Sequence, residues 1–135
     1  MNHHTICSAV ALLAVPVCLV AQAKTFEESL EEGLAVIEEL SALLERTTPD
    51  NADEIVAELE QMSERMNALK AEEANYTDEE KARILQNPEI VSKFQAPMQR
   101  FIMALMNLQN SLQSATPEQQ AELQKVMTKI QSFKP

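Results

Sequence analysis

Four side chains in this sequence are of the kinds that act as a base near neutral pH or hold a metal through imidazole or thiolate: His3, His4, Cys7 and Cys18. All four precede residue 24, and from Lys24 to Pro135 there is no histidine and no cysteine. Nucleophilic catalysis of the Ser-His-Asp or Cys-His kind needs such a base beside the nucleophile, so that stretch lacks its usual components. Carboxylate pairs remain available. A glycoside-cleaving pair, however, works across a cleft that grips sugar, and the aromatic residues are only Phe26, Tyr76, Phe94, Phe101 and Phe133, four of them on apolar helical stripes. The residue inventory predicts a non-enzymatic protein with no catalytic residue and no cofactor.

Two further groups could bind metal. Glu27, Glu31 and Glu38 share one face of a helix, and Glu28, Glu32 and Glu39 share a neighbouring one, which suits weak calcium or magnesium binding. Met62 and Met66 are four apart and Met103 and Met106 three apart, a spacing that thioether coordination of copper(I) would use. Solvated helix surface accounts for the glutamates, and core filling or an adaptable apolar groove accounts for the methionines. No metal site is predicted. Met98, Met103 and Met106, together with Glu27, Glu31 and Glu38, are instead the candidate partner-binding residues.

The elements that position these residues begin after an export signal. From Ile6 to Val20 the chain is apolar apart from Ser8 and carries no charge, and Ala21-Gln22-Ala23 supplies the small residues of a cleavage site. Residues 1–23 are therefore read as a cleaved secretory signal, and 24–135 as a single helical domain of a periplasmic or secreted protein. The apolar run is too short, and too interrupted by Pro16, for a membrane span, so no stable membrane insertion is expected after cleavage.

Beyond the signal there is one glycine, Gly33, one tyrosine and no tryptophan, which leaves tight glycine turns and phosphate-cradling loops poorly supplied. Helix is the remaining architecture, held by packing without disulfides. Thr25/Glu28, Thr77/Glu80 and Thr116/Gln119 have capping-box spacing, and Thr48-Pro49 and Asn87-Pro88 place a cap before a first-turn proline. Five helices follow: Phe26 to Arg46, Pro49 to Glu73, Asp78 to Gln86, Pro88 to Leu112 and Pro117 to Phe133. Apolar steps of three and four run through Ile55, Leu59, Met62, Met66 and Leu69, and through Val91, Phe94, Met98, Phe101, Leu105, Leu108 and Leu112. Ile90, Ile102 and Met106 widen the second stripe, as burial by more than one neighbour requires. Pro97 lies inside that unbroken pattern and predicts a kinked helix. Gly33 falls on the apolar seam of the first helix, where close approach of another helix, expected ahead of a bound ligand, would offset its cost; a tolerant position is the alternative. The fold expected is all-α: an antiparallel four-helix-type bundle with a short extra crossover helix and a Pro-kinked long helix.

The net charge of −10 is uneven, with 15 acids against 4 bases from Lys24 to Glu73 and 6 against 7 from Ala74 to Pro135. Such a field excludes nucleic acid and favours cations, basic peptides or solubility. In size and topology this reading is similar to the exported haem-binding bundles of the cytochrome c-prime and b types, whose ligation requires histidine. Ala115-Thr116-Pro117-Glu118-Gln119 and Tyr76-Thr77-Asp78-Glu79-Glu80 resemble the Leu-Thr-x-x-Gln box of periplasmic stress chaperones with the leucine replaced. The function expected is an exported binding or scaffolding bundle that takes a protein partner or self-associates. Alternatives are chaperone-like holding of unfolded exported clients, and weak cation binding by the acidic first hairpin.

Overall fold

A computed structural model describes residues 24–133. The export signal read over residues 1–23 lies outside the described residues. The chain forms α1 (Phe26–Glu45), α2 (Ala52–Glu73), α3 (Asp78–Leu85), α4 (Pro88–Ser114) and α5 (Pro117–Gln131), with no strand among the described residues.

The helix starts follow from side-chain caps. The Glu28 N–H donates to Thr25 Oγ1 at 3.1 Å and the Glu80 N–H to Thr77 Oγ1 at 3.2 Å, each satisfying an amide that has no partner inside its helix. At Thr116 the box closes in both directions: the Gln119 N–H donates to Thr116 Oγ1 at 3.3 Å, and the Thr116 N–H to Gln119 Oε1 at 3.0 Å. Asn87 caps α4 through the Glu89 N–H, with Pro88 in the first turn as expected. Thr48 and Pro49 do not start α2, which begins three residues later. Asn51 holds the connection as a turn instead, accepting from the Thr48 N–H at 2.7 Å and donating to the Arg46 carbonyl at 2.7 Å. Helix α4 continues through Pro97, where the missing N–H deprives the Lys93 carbonyl of its intrahelical donor.

Ion pairs between neighbouring helices show their relative directions. Arg46 with Glu58, Arg65 with Glu39 and Lys24 with Glu72 make α1 and α2 an antiparallel hairpin. Lys93 with Glu31 and Arg100 with Glu45 set α4 alongside α1 in the same direction, and Lys125 with Asp53 and Lys129 with Glu60 do the same for α5 along α2. Two antiparallel hairpins thus lie side by side, α1 against α4 and α2 against α5, and α3 crosses one end to touch both α1 and α4. The core is built from Val36, Leu40, Leu43 and Leu44 of α1, Ile55 and Leu59 of α2, Ala104 and Leu108 of α4, and Leu123, Val126 and Met127 of α5. Half-buried Met62, Met66 and Leu69 extend it along α2, as their spacing predicted.

The end crossed by α3 is closed by Tyr76. Its hydroxyl donates to the Lys24 carbonyl at 2.9 Å, and its ring meets Phe26 at a centroid distance of 5.3 Å, tilted by 57°. This ties the α2–α3 connection to the start of α1, 52 residues away in sequence.

Candidate functional site

The helices of the bundle differ in length, and the site follows from that mismatch. Helix α4 has 27 residues and α2 has 22, but α5 has 15, or about 22 Å against about 40 Å for α4. Helix α5 therefore fills the space between α2 and α4 only over the half of the bundle distant from α3. Where it stops, a side cleft of about 530 Å³ opens. Ile37 and Leu40 of α1 form its floor, and Met98, Phe101 and Leu105 of α4 form one wall. Ile130, Ser132 and Phe133, from the end of α5 and the residues after it, close the top. The opposite wall, from α2, combines Met66 with the polar Ser63, Asn67 and Lys70. A space of this size with one mixed and several apolar sides suits an amphipathic occupant.

Gly33 confirms how open this side is. It stands one turn before Ile37, on the same face of α1 as buried Phe26 and Leu40, yet a Cβ placed there would meet nothing within 4 Å. No helix approaches Gly33 closely, contrary to the sequence expectation. Gly33 lies on the seam, but the helix that would cover it, α5, ends before reaching it.

Part of α4 is also uncovered, on the face turned away from α1 and α5. Met98, Ile102, Met103 and Met106 are 39%, 51%, 58% and 53% exposed, and Leu85 and Val91 are exposed as well. Of Ile90, Ile102 and Met106, which widen the stripe, only Ile90 is buried; burial of Ile102 and Met106 by a second neighbour does not occur. Ile90, Ala104 and Leu108 form the buried edge of α4 against α1 and α5, while the wider part of the stripe faces water.

The six candidate binding residues separate into two groups. Met98 lines the cleft, whereas Met103 and Met106 lie on the outward face of α4 and do not. Glu31 accepts from Lys93 Nζ at 3.3 Å, Glu27 is half-buried and Glu38 is exposed; these three do not converge with the methionines. Among the described residues no three acidic side chains come close enough to hold a metal ion. The acidic hairpin instead spends much of its charge on internal pairs. Arg100 donates to both carboxylate oxygens of Glu45, holding that carboxyl below the ordinary range, while Glu45 raises the guanidinium in return. Lys24 is raised by its hydrogen bonds to Glu32 at 2.6 Å and Glu72 at 2.8 Å. Tyr76 is pushed up mainly by burial and secondarily by the Glu72 charge.

Sequence reasoning missed Ile37, Ser63, Asn67, Lys70, Ile130 and Phe133 as parts of one site. The available signal was length: the last helix was the shortest of the four long ones. The chain matches no protein-family model, no curated protein and no solved structure.

Proposed function

We propose that this is an exported, non-enzymatic helical-bundle binding protein, periplasmic or secreted, whose docking surface is the side cleft together with the adjoining apolar face of α4. The observation that carries this reading is the early end of α5, which opens the cleft of about 530 Å³ beside uncovered Met98 and Ile102. Completing a missing helix position buries apolar surface on both partners without disturbing the existing core, the mode by which amphipathic helices enter grooves. The floor and the α4 wall would take the apolar side of such a helix, and Ser63, Asn67 and Lys70 its polar side.

Calorimetric titration with an amphipathic model peptide tests this reading. Saturable binding is expected for the native protein and a severalfold weaker response for Asn67→Trp, in which an indole grows into the cleft from an exposed position. An absence of binding by the native protein at millimolar peptide would remove the reading.

Chaperone-like holding of unfolded exported clients is the second reading, favoured by the three exposed methionines, whose flexible thioethers adapt to dissimilar apolar segments. It predicts dose-dependent suppression of client aggregation, and an inert result in that assay would eliminate it.

A further inference from the structure

Helix α4 has an outward face without charge, in a protein of net charge −10. Its ionisable residues are Glu89, Lys93 and Arg100, and the two cations are turned toward α1, where they pair with Glu31 and Glu45. From Phe101 to Pro117 the sequence carries no charged residue at all. The exposed stripe along this face runs Gln95, Met98, Ile102, Met106 and Gln109. Counted outward from Ile102, it has methionine four residues away on either side and glutamine seven residues away on either side. The stripe therefore reads the same in both directions.

We infer that α4 pairs antiparallel with α4 of a second copy of this chain, about a two-fold axis passing beside Ile102. An isologous interface brings each residue against its symmetry counterpart, so a stripe that is palindromic about the axis satisfies itself. In this register Ile102 meets Ile102 of the partner copy, Met98 meets Met106, and Gln95 meets Gln109, whose amides both donate and accept. This inference rests on the reading of the α4 face as a docking surface and supplies the occupant of that face alone, leaving the cleft beside it open to a helix.

Two further observations favour a second copy over an unrelated protein. Two chains of charge −10 repel each other, and the face that brings the fewest carboxylates together is the neutral one on α4. Complete covering of Val91, Met98, Ile102, Met103 and Met106 of α4 and Leu85 of α3 on both copies would remove at most about 1,200 Å² from water, the lower end of the range for specific association, and the flanking glutamines add to it. Methionine enrichment and charge depletion at the centre of the patch match the composition of interface cores.

Sedimentation velocity and cysteine cross-linking on the exported protein test the inference. The native protein should sediment as a dimer, and Ile102→Glu, which places like charges across the axis at an exposed position, should raise the dissociation constant at least about tenfold while leaving the circular dichroism unchanged, and the melting temperature unchanged at concentrations where both proteins are monomeric. Because the partners repel through their net charge, added salt should tighten the dimer. Under mild oxidation Ile102→Cys should cross-link far faster than Ala57→Cys on the exposed side of α2. Met98→Lys combined with Met106→Glu should associate more tightly than Met98→Glu combined with Met106→Glu, since only the former pairs opposite charges in this register.

A native protein that remains monomeric at about 100 μM, with equal cross-linking at positions 102 and 57, overturns the inference. If that monomer still binds the amphipathic peptide, and Ile102→Glu weakens the binding, the docking-surface reading stands and only the second copy is lost. If the peptide also fails to bind, both are lost.

Discussion

Replacing Gly33 by alanine should stabilise this protein. Glycine inside a helix costs about 0.5–1 kcal/mol relative to alanine, because it has more backbone freedom to lose on folding. At a tightly packed seam that gain would be cancelled by the displaced neighbour, since overpacking a helix contact costs about 1–3 kcal/mol. Around Gly33 nothing lies within 4 Å of the added methyl group, and the residue sits in the interior of α1. The propensity gain is thus expected in full. For a domain of this size it corresponds to a rise in melting temperature of roughly 2–6 °C, measurable by calorimetry or circular dichroism at 222 nm. Urea denaturation should show a higher midpoint with an unchanged slope, because the surface exposed on unfolding hardly differs. A fall in stability of about 1 kcal/mol or more would refute the reasoning, because a methyl group in open water cannot produce it; an element packed over Gly33 would.

Other parts of the fold respond in the opposite direction. Thr116→Ala removes the reciprocal cap of α5 and should cost about 1 kcal/mol in urea denaturation, with a comparable loss for Thr25→Ala at the start of α1. Leu59→Ala empties a fully buried position in the α1–α2–α5 core and should cost about 3 kcal/mol, enough to make the protein marginal. Tyr76→Phe leaves the Lys24 carbonyl without its donor and should cost about 1 kcal/mol, with proteolysis near the start of α1 as a second readout. The same region should loosen in alkali. Tyr76 and Lys24 both titrate above their ordinary values of 10.0 and 10.5, so the folded protein holds those protons more tightly than the unfolded chain does; their contribution is complete below about pH 10 and is lost as pH rises through the folded-state values. A melting temperature that stays flat between pH 9 and 11.5 would count against that assignment.

Much of the fold was legible because its local signals agree with one another. Threonine caps, first-turn prolines and apolar steps of three and four all mark the same boundaries, and α1, α3, α4 and α5 begin at the residues expected. Thr48-Pro49 misled because Asn51, three residues on, offers both an amide oxygen and an amide nitrogen, and these stabilise a turn in place of a helix start. The width of the α4 stripe was also correctly read, but width shows only that a face is apolar. Whether a neighbour covers it depends on the length and placement of α5, which are tertiary facts. Met98, Ile102 and Met106 therefore look like core in the sequence and stand exposed in the fold. The cleft was illegible for the same reason: Ile37, Asn67, Phe101 and Ile130 share no local pattern and meet only because one helix stops early. Of the acidic residues of α1 that are conspicuous in the sequence, Glu31, Glu32, Glu39 and Glu45 are engaged with Lys93, Lys24, Arg65 and Arg100.

The proposed docking surface is tested directly by amide chemical-shift mapping while an amphipathic apolar peptide is titrated into the ¹⁵N-labelled protein. Shifts should concentrate at Gly33, Ile37, Met66, Asn67, Met98, Phe101 and Ile130 and should persist in 0.5 M salt, as apolar docking requires. Shifts confined to Glu27, Glu31 and Glu38 that vanish in salt would place recognition on the acidic hairpin and contradict the assignment of the cleft.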